Sequence, residues 1–586
     1  MSANLIALSN RFLGRGETVY DRLARLAEEK GALSDEDLLA LAAELELPPA
    51  HVRSVAKFYD ELRRAEPAQR VLRVCNGEAC AVRGAAACHA RLEGALRARE
   101  GVRVEEVTCV GYCGAGPNAM LVEGHARRPF SLAGGGLEAA LAALGEGAPF
   151  APDEPVNVVH APRSARENVL LSRFGPAFAG LAHARAHGVY AALARALEGA
   201  PERVVEEVKA SELRGRGGAG FPAGLKLATV RAAPSASGTK YVVVNADEGD
   251  AGAFIDKELL EQAPHTVLEG TLLAAYAVGA TEGYVYLRGE YPRAIAIWKD
   301  ALAEARAAGV LGASVLGSAF SFDVKLVEGH GAYICGEETS LLRSLEGVPA
   351  QVSPKPPFPA IAGLRGAPTV VNNVETLAAL PWIVEHGGAA YAALGRGRSR
   401  GTKLLSVSGH VRAPGLFEVE LGVPLREVIF ELAGGVPDGR AFKAAQIGGP
   451  LGGILGPAEL DTPLTFEDLA AAGGMLGHAG IVVFDETVDL VRIGRGLVKF
   501  CAVESCGKCF PCRIGSVRAT EIFDKILEGR GTQADVEILG ELNEAMRVGS
   551  LCALGGGIPI PVENLLTRFV GELDKYVPGV KAPRVV

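Results

Sequence analysis

The sequence lacks any run near the ~18 uninterrupted apolar residues that a membrane-spanning helix needs. Positive charge is also in short supply. Lys and Arg total 60 against 69 Asp and Glu, a net charge of -9, which argues against a nucleic-acid or anionic-membrane surface. The start, Met1-Ser-Ala-Asn-Leu, has no basic region followed by an apolar core and no twin arginine, so no export signal is read and a cytoplasmic chain is expected. No fixed-period repeat is found, which excludes a solenoid or propeller.

Cysteine is the residue the chain does have in an informative pattern. There are 11, an odd number, and in a long chain without a leader a disulfide framework is the poorer explanation. Eight of them fall into two groups of four. At 586 residues the chain is too long for one core.

Composition divides it into six stretches. Residues 1–68 are rich in Leu, Ala, Glu and Arg and read as a helical bundle, with Ser34 as the N-cap of a helix starting at Asp35. In 69–145, strands at 71–75, 102–108 and 119–123 alternate with helices at 85–99 and 135–144, the pattern of a small α/β domain. Residues 146–165 hold Gly, Pro and Asp and read as a linker. The stretch 166–400 alternates helices with buried strands such as Tyr241-Val-Val-Val-Asn245, suiting a doubly wound α/β core. Short strands broken by Gly and Pro make 401–488 a small β-rich domain. Residues 489–586 are mostly helical.

The first cysteine group is Cys75-Asn-Gly-Glu-Ala-Cys80 with Cys109-Val-Gly-Tyr-Cys113. Four thiolates on loops leaving strands suit a [2Fe-2S] cluster, and nearby glycines allow the backbone to curl around inorganic sulfide. On spacing alone, a zinc site or four unrelated thiols remain open, although the 75/80 spacing suits zinc less well. The second group is Cys506-Gly-Lys-Cys509-Phe-Pro-Cys512 with Cys552 downstream. Three cysteines at successive spacings of two suit one face of a cubane better than a tetrahedral ion, and Cys552 is the downstream candidate for the fourth ligand. Cys501 is read as a spectator and Cys88 as a small buried helix residue. The glycine-dense segment Arg214-Gly-Arg-Gly-Gly-Ala-Gly-Phe-Pro222 can offer backbone amides to a phosphate. It is not a dinucleotide fingerprint, because the strand–GxGxxG–helix frame with an acidic partner is not evident.

These motifs carry a family resemblance. C-x4-C followed by C-x3-C, preceded by Val55-Ala-Lys-Phe-Tyr59, resembles the thioredoxin-like [2Fe-2S] subunit of respiratory complex I over about residues 1–145. The motif Glu504-Ser-Cys506-Gly-Lys-Cys509-Phe-Pro-Cys512-Arg, with the later Ser550-Leu-Cys552-Ala-Leu-Gly, resembles the NADH-binding flavoprotein subunit of the same complex. So do Asn245-Ala-Asp-Glu248-Gly-Asp250, Gly331-Ala-Tyr333-Ile-Cys-Gly336-Glu337-Glu338 and Val371-Asn372-Asn373-Val-Glu, in family order.

The resemblance implies a thioredoxin-like domain, a Rossmann-like FMN/NADH domain, a ubiquitin-like β-grasp domain and a helical [4Fe-4S] domain. It implies that Cys75, Cys80, Cys109 and Cys113 hold [2Fe-2S], and that Cys506, Cys509, Cys512 and Cys552 hold [4Fe-4S]. FMN phosphate would lie on Gly215, Arg216, Gly217, Gly218, Ala219 and Gly220, with Lys226 near it and Asn372 and Asn373 assisting. Asn245, Asp247, Glu248, Tyr333, Gly336 and Glu337 would surround the ribityl chain and ring, and Glu338 would lie near the nicotinamide. Phe221, Asp250, Lys355 and Phe358 match the NADH pocket. The chain departs from the family at Leu227 and Thr229, where aromatics are usual, and at Asp250-Ala-Gly252, where E-P-G is usual.

The implied activity is electron exchange between NAD(H) and the clusters through FMN, with no general base required. Fusion of the two parts points to the diaphorase (beta) subunit of a soluble NAD-dependent formate dehydrogenase, partnered by its catalytic iron–sulfur subunit. The diaphorase subunit of an NAD-reducing [NiFe] hydrogenase is the second reading and complex I the third. From another class, a non-catalytic electron-wiring subunit would share the fold but lack working flavin.

Overall fold

A computed structural model describes residues 17–30, 33–59, 62, 70–124, 126–161, 168–175 and 180–583. Three N-terminal helices, Val19–Lys30, Asp35–Glu44 and Pro49–Phe58, open the described chain. Ser34 caps the second in a reciprocal capping box with Asp37, a device worth about 1 kcal/mol. These helices do not close a core of their own. Their buried face (Tyr20, Leu41, Val55, Tyr59) packs on Tyr241, Tyr284, Tyr286 and Leu345 of a later domain. Two tyrosines pin the contact: Tyr59 Oη donates to Val348 O at 2.9 Å, and Tyr20 Oη to Glu328 O at 2.8 Å.

The next sheet has strand order β2-β1-β3-β4, with β1 Arg70–Cys75, β2 Val102–Val107, β3 Asn118–Glu123 and β4 Ala126–Ser131. Alternation along β1 splits its faces. Leu72 and Val74 pack beneath helices Ala85–Leu96 and Gly136–Glu146, while Val71 and Cys75 face the opposite way. Strand β4, with Pro129 and two arginines, has no sequence signal for a strand, yet it pairs with β3 along its whole length at the sheet edge, where Pro and charge are tolerated. Cys88 lies on the first of these helices and is half-buried, not fully buried.

The α/β domain has four parallel strands in the order β7-β6-β5-β8: β5 Tyr241–Ala246, β6 Glu282–Arg288, β7 Asp323–Gly329 and β8 Thr369–Asn373. Strand β5 is buried on both faces, as its unbroken apolar run requires. Val242 and Val244 face one core, and Tyr241 and Val243 the other. A short ladder of β9 (Gly395–Arg396) and β10 (Ser399–Arg400) leads to a five-stranded mixed sheet. Its order is β12-β11-β15-β13-β14, from β11 Thr402–Gly409, β12 Gly415–Glu420, β13 Phe442–Ile447, β14 Gly453–Leu455 and β15 Gly480–Asp485. The C-terminal helices include Leu490–Glu504, Phe510–Leu527, Gln533–Gly549 and Pro559–Thr567. One apolar core runs continuously through the α/β domain, the five-stranded sheet and these helices.

The stretch read as a linker is in part a strap. Val159 bridges to Leu416, and buried Asn157 donates to Gly111 O and Glu258 Oε1, both at 2.9 Å. It clamps the loop between Cys109 and Cys113 against the α/β domain.

Candidate functional site

Strand order decides where a crevice forms. Strands β6 and β7 lie on one side of β5 and β8 on the other, so the connections part at the β5–β8 seam. Ligands bind at the carboxyl end of such a seam. Across it Asn245 pairs with Asn373 and Val244 with Asn372. Asn245 Nδ2 donates to Gly336 O at 2.8 Å, which draws the single turn Tyr333–Gly336 to the same place.

The glycine loop reaches the seam from a different frame. It joins helix Pro201–Ala210 to helix Ala223–Ala232 and is closed at its neck by Gly215 N–H to Phe221 O at 2.9 Å. Side chains are excluded where it passes closest: a Cβ on Gly217 would sit 2.9 Å from Asn373 Cβ. The Arg216 side chain turns away into the core, donating to Tyr391 Oη and Arg400 O, while its backbone N–H donates to Thr376 Oγ1 at 2.8 Å.

Three of the expected residues are helix caps. Glu337 accepts from Thr339 and Ser340 N–H, and Asn373 Oδ1 from Glu375 and Thr376 N–H. Glu248 accepts from Asp256 and Lys257 N–H, both at 2.9 Å, and from Tyr291 Oη at 3.1 Å. Both Glu248 oxygens are thus committed within the protein, which makes this residue the floor of the crevice. On one side of the crevice runs a chain of alternating charge. Lys355 Nζ bonds Glu337 at 2.8 Å and Glu338 at 2.9 Å, and Glu338 lies 3.8 Å from Lys226. Lys226 Nζ also donates to Val371 O at 2.8 Å; burial lowers its pKa, and Glu338 opposes that.

Among the described residues, buried polar atoms near this crevice without a hydrogen-bond partner include Asn372 Nδ2, a donor, and Asp247 Oδ2, an acceptor. Unpaired buried polar atoms are costly, so such a pair fits a polar ligand that both accepts and donates, as FMN phosphate and ribityl hydroxyls do. Burial pushes the Asp247 carboxyl well up, and Arg288 only partly offsets it. Phe221 and Phe358 stay 48 % and 56 % exposed, bare rings suited to a nucleotide face. Of the departures, Leu227 is buried in the core and Thr229 bonds back to Leu225 O. Asp250 Oδ1 accepts from Tyr333 Oη at 2.5 Å.

The N-terminal cysteines converge. Cys109 and Cys113 Sγ atoms are 3.5 Å apart, and Cys75 and Cys80 are hydrogen-bonding neighbours. All are buried, as thiols that stay reduced on a cluster require. A β-carbon on Gly116 would lie 2.9 Å from Cys80 Sγ, and the backbone at Gly111 (φ 84°) needs glycine. This nest abuts the crevice floor. Buried Arg288 donates to Cys109 O at 3.0 Å and also to Glu248 O, and Lys257 Nζ lies 4.1 Å over the Tyr112 ring.

At the other end, Cys509 starts helix Phe510–Leu527, Cys512 lies in its first turn, and Cys552 caps Ala553–Gly557. Cys512 hydrogen-bonds Ser505 and neighbours Cys509, and Cys552 feels both Cys512 and Glu337. Burial pushes the Cys552 thiol up to about 12, so a bound cation is needed to hold it as thiolate. Cys501 Sγ lies 4.0 Å from Cys512 Sγ but is sealed in the core, donating toward Leu554 O. Tyr333 ties this nest to the crevice: its N–H donates to Glu504 Oε2 at 3.0 Å, and its ring packs edge-on against Phe500. Arg288, Tyr291 and His478 carry no motif signal and enter the site from structure alone.

Comparison with known proteins finds four family matches along the chain. Residues 208–382 match the Nuo51 FMN-binding domain, 492–576 the NADH-ubiquinone oxidoreductase-F iron-sulfur binding region, 8–128 the thioredoxin-like [2Fe-2S] ferredoxin and 404–455 the SLBB domain. An F-type NADH-quinone oxidoreductase subunit of Rhizobium meliloti is 46 % identical over 400 residues, 68 % of this chain and 94 % of that protein. NADP-reducing hydrogenase subunit HndC of Solidesulfovibrio fructosivorans is 46 % identical over 394 residues, 67 % of this chain and 80 % of that one. A solved NAD+-reducing [NiFe]-hydrogenase in the H2-reduced state contains a chain that superposes with a TM-score of 0.82 at 31 % identity, covering 96 % of this chain and 94 % of that one. This chain belongs to the family of F-type NADH-quinone oxidoreductase subunits, which are FMN- and iron–sulfur-binding oxidoreductases, and is joined here in one polypeptide to a thioredoxin-like [2Fe-2S] ferredoxin.

Proposed function

We propose that this chain is the NAD(H)-exchanging subunit of a soluble, cytoplasmic NAD-dependent formate dehydrogenase. FMN, when bound, supplies the exchange between two-electron nicotinamide and one-electron iron–sulfur chemistry. The glycine loop, Asn372 and Lys226 hold the phosphate end, and Asn245 and Asp247 the ribityl chain. Glu337, Glu338 and Lys355 line the nicotinamide side, and Phe221 and Phe358 flank the dinucleotide. The observation that carries the flavin part of this reading is the close approach of the glycine loop to Asn373 at the β5–β8 switch point, next to which Asn372 Nδ2 and Asp247 Oδ2 are buried without a hydrogen-bond partner.

A partner surface is supported beside the C-terminal nest. Val503, Phe510, Val517, Val548 and Leu551 are 64, 68, 41, 74 and 45 % exposed, and Gly549 packs on Pro511, which joins the patch. Bare apolar surface of this kind marks a protein interface. No helix among the described residues is long and apolar enough to cross a membrane. Fusion of the two cofactor modules suits a diaphorase partnered by a formate- or a hydrogen-oxidising subunit, and formate is the first reading. The similarity to an NAD+-reducing [NiFe]-hydrogenase favours hydrogen as a second reading. Native purification with identification of co-purifying chains, followed by formate- and hydrogen-dependent NAD+ reduction, separates them. Reduction with neither donor refutes both.

A further inference from the structure

His478 precedes β15, outside the α/β domain, yet its ring is buried among that domain's residues. Its Nε2 lies 3.1 Å from Asp256 Oδ2, and its Nδ1 lies 3.4 Å from Glu248 Oε1. Asn373 Nδ2 donates to the same Asp256 oxygen at 2.6 Å. The glycine loop passes alongside: a Cβ on Gly218 would lie 3.5 Å from Gly477 and 3.8 Å from His478 N.

Two carboxylates this deep need a compensating cation. Among the described residues the other buried cations nearby point elsewhere. Lys403 pairs with Glu375, Lys257 with Glu258 and Glu261, Arg288 with Glu290, and Arg216 turns to Tyr391 Oη and Arg400 O. Burial alone would push the His478 imidazole down, but Asp256 and Glu248 outweigh it and hold its pKa up at about 9. The same three side chains could in principle grip a divalent ion. The two amide donors on Glu248 and the Asn373 donor on Asp256 instead favour carboxylates facing an N–H cation.

We infer that His478 is a positioning residue for the flavin: an imidazolium lent by the five-stranded sheet that offsets one of the two carboxylate charges of Glu248 and Asp256 and, through Asp256, fixes Asn373 beside the glycine loop. This rests on FMN lying at that loop, as proposed above. Reduction by a hydride would add one negative charge to the FMN ring system, so a cation paired with Glu248 under the crevice floor would favour the reduced cofactor.

The test is the two-electron midpoint potential of bound FMN, with FMN dissociation constants in both redox states, in His478→Gln. About a tenfold loss of preference for the reduced state is expected, about 30 mV downward. His478→Gln with Asp256→Asn restores the local charge and should return most of that shift. Asp256→Asn alone should move the potential upward, and it serves if the histidine variant does not fold. An unchanged potential with a lowered melting temperature would overturn the inference, as would a stoichiometric divalent ion other than iron lost with His478. Gly217→Ala reads the placement separately: unchanged FMN affinity there would overturn the placement and the inference with it, whereas weakened affinity with an unchanged potential in His478→Gln would overturn the inference alone.

Discussion

The N-terminal nest keeps all four thiols at 3 % exposure or less, whereas Cys506, Cys509 and Cys552 of the C-terminal nest are half-exposed. The first is built on loops of a small sheet and sealed by Arg288, Tyr291 and the Asn157 strap. The second sits on helix starts beside bare apolar side chains. Both touch the crevice, one through its floor at Glu248 and the other through Tyr333 and Glu337. The difference separates two tasks for one ligand chemistry. A sealed nest suits an internal electron store, and an open one beside an apolar patch suits exchange with a partner.

The largest expected effect breaks the open nest. Cys509→Ala should lower electron delivery to a partner by at least about 100-fold, the upper range for loss of metal-site integrity, while NADH still bleaches the flavin. Loss of bleaching in a folded variant would refute the assigned order. Next, Gly217→Ala forces a β-carbon against Asn373 and should weaken FMN binding by about 10–100-fold, a cost of roughly 1.4–2.7 kcal/mol, read by flavin fluorescence. Unchanged affinity would move the phosphate elsewhere.

Much of this was legible from sequence because the thiols come in closely spaced sets, which mark candidate nests, while the family resemblance is what pointed to iron–sulfur rather than zinc. The glycine loop and the seam asparagines are likewise short motifs on predicted strands and turns. What spacing does not carry is long-range. Arg288 meets Cys109 across 179 residues and His478 meets Asp256 across 222, and neither has a local signature. The N-terminal helices read as a bundle because their apolar period is local, but the surface that completes their core is the far face of β5 and β6. Strand β4 escaped because an edge strand can carry Pro129 and two arginines without losing its pairing.

Sharpening the seal, Arg288→Gln removes the bonds to Cys109 O and Glu248 O and the ion pair with Glu290. A loss of about 3 kcal/mol is expected, read as lower denaturant resistance with release of the N-terminal cluster first. Simultaneous loss of both clusters would show that the seal is not specific to that nest. Phe510→Asp should weaken partner binding by about tenfold with both clusters and flavin intact, as for an apolar interface anchor. The smallest effect is in pH. His478 is held above its unfolded value of 6.5, at about 9, so its contribution to stability is full below pH 6.5 and fades as pH rises through 9. His478→Gln should flatten that decline, and an unaltered pH profile would count against the ion pair.

The most direct measurement is iron, sulfide, zinc and flavin analysis of the anaerobically purified chain, followed by electron paramagnetic resonance after adding NADH. One FMN, iron and sulfide for one two-iron and one four-iron cluster, and signals from both are expected, with the four-iron signal alone lost in Cys552→Ala. Zinc in either nest, or NADH leaving both clusters oxidised in flavin-replete protein, would contradict a flavin crevice flanked by two working clusters.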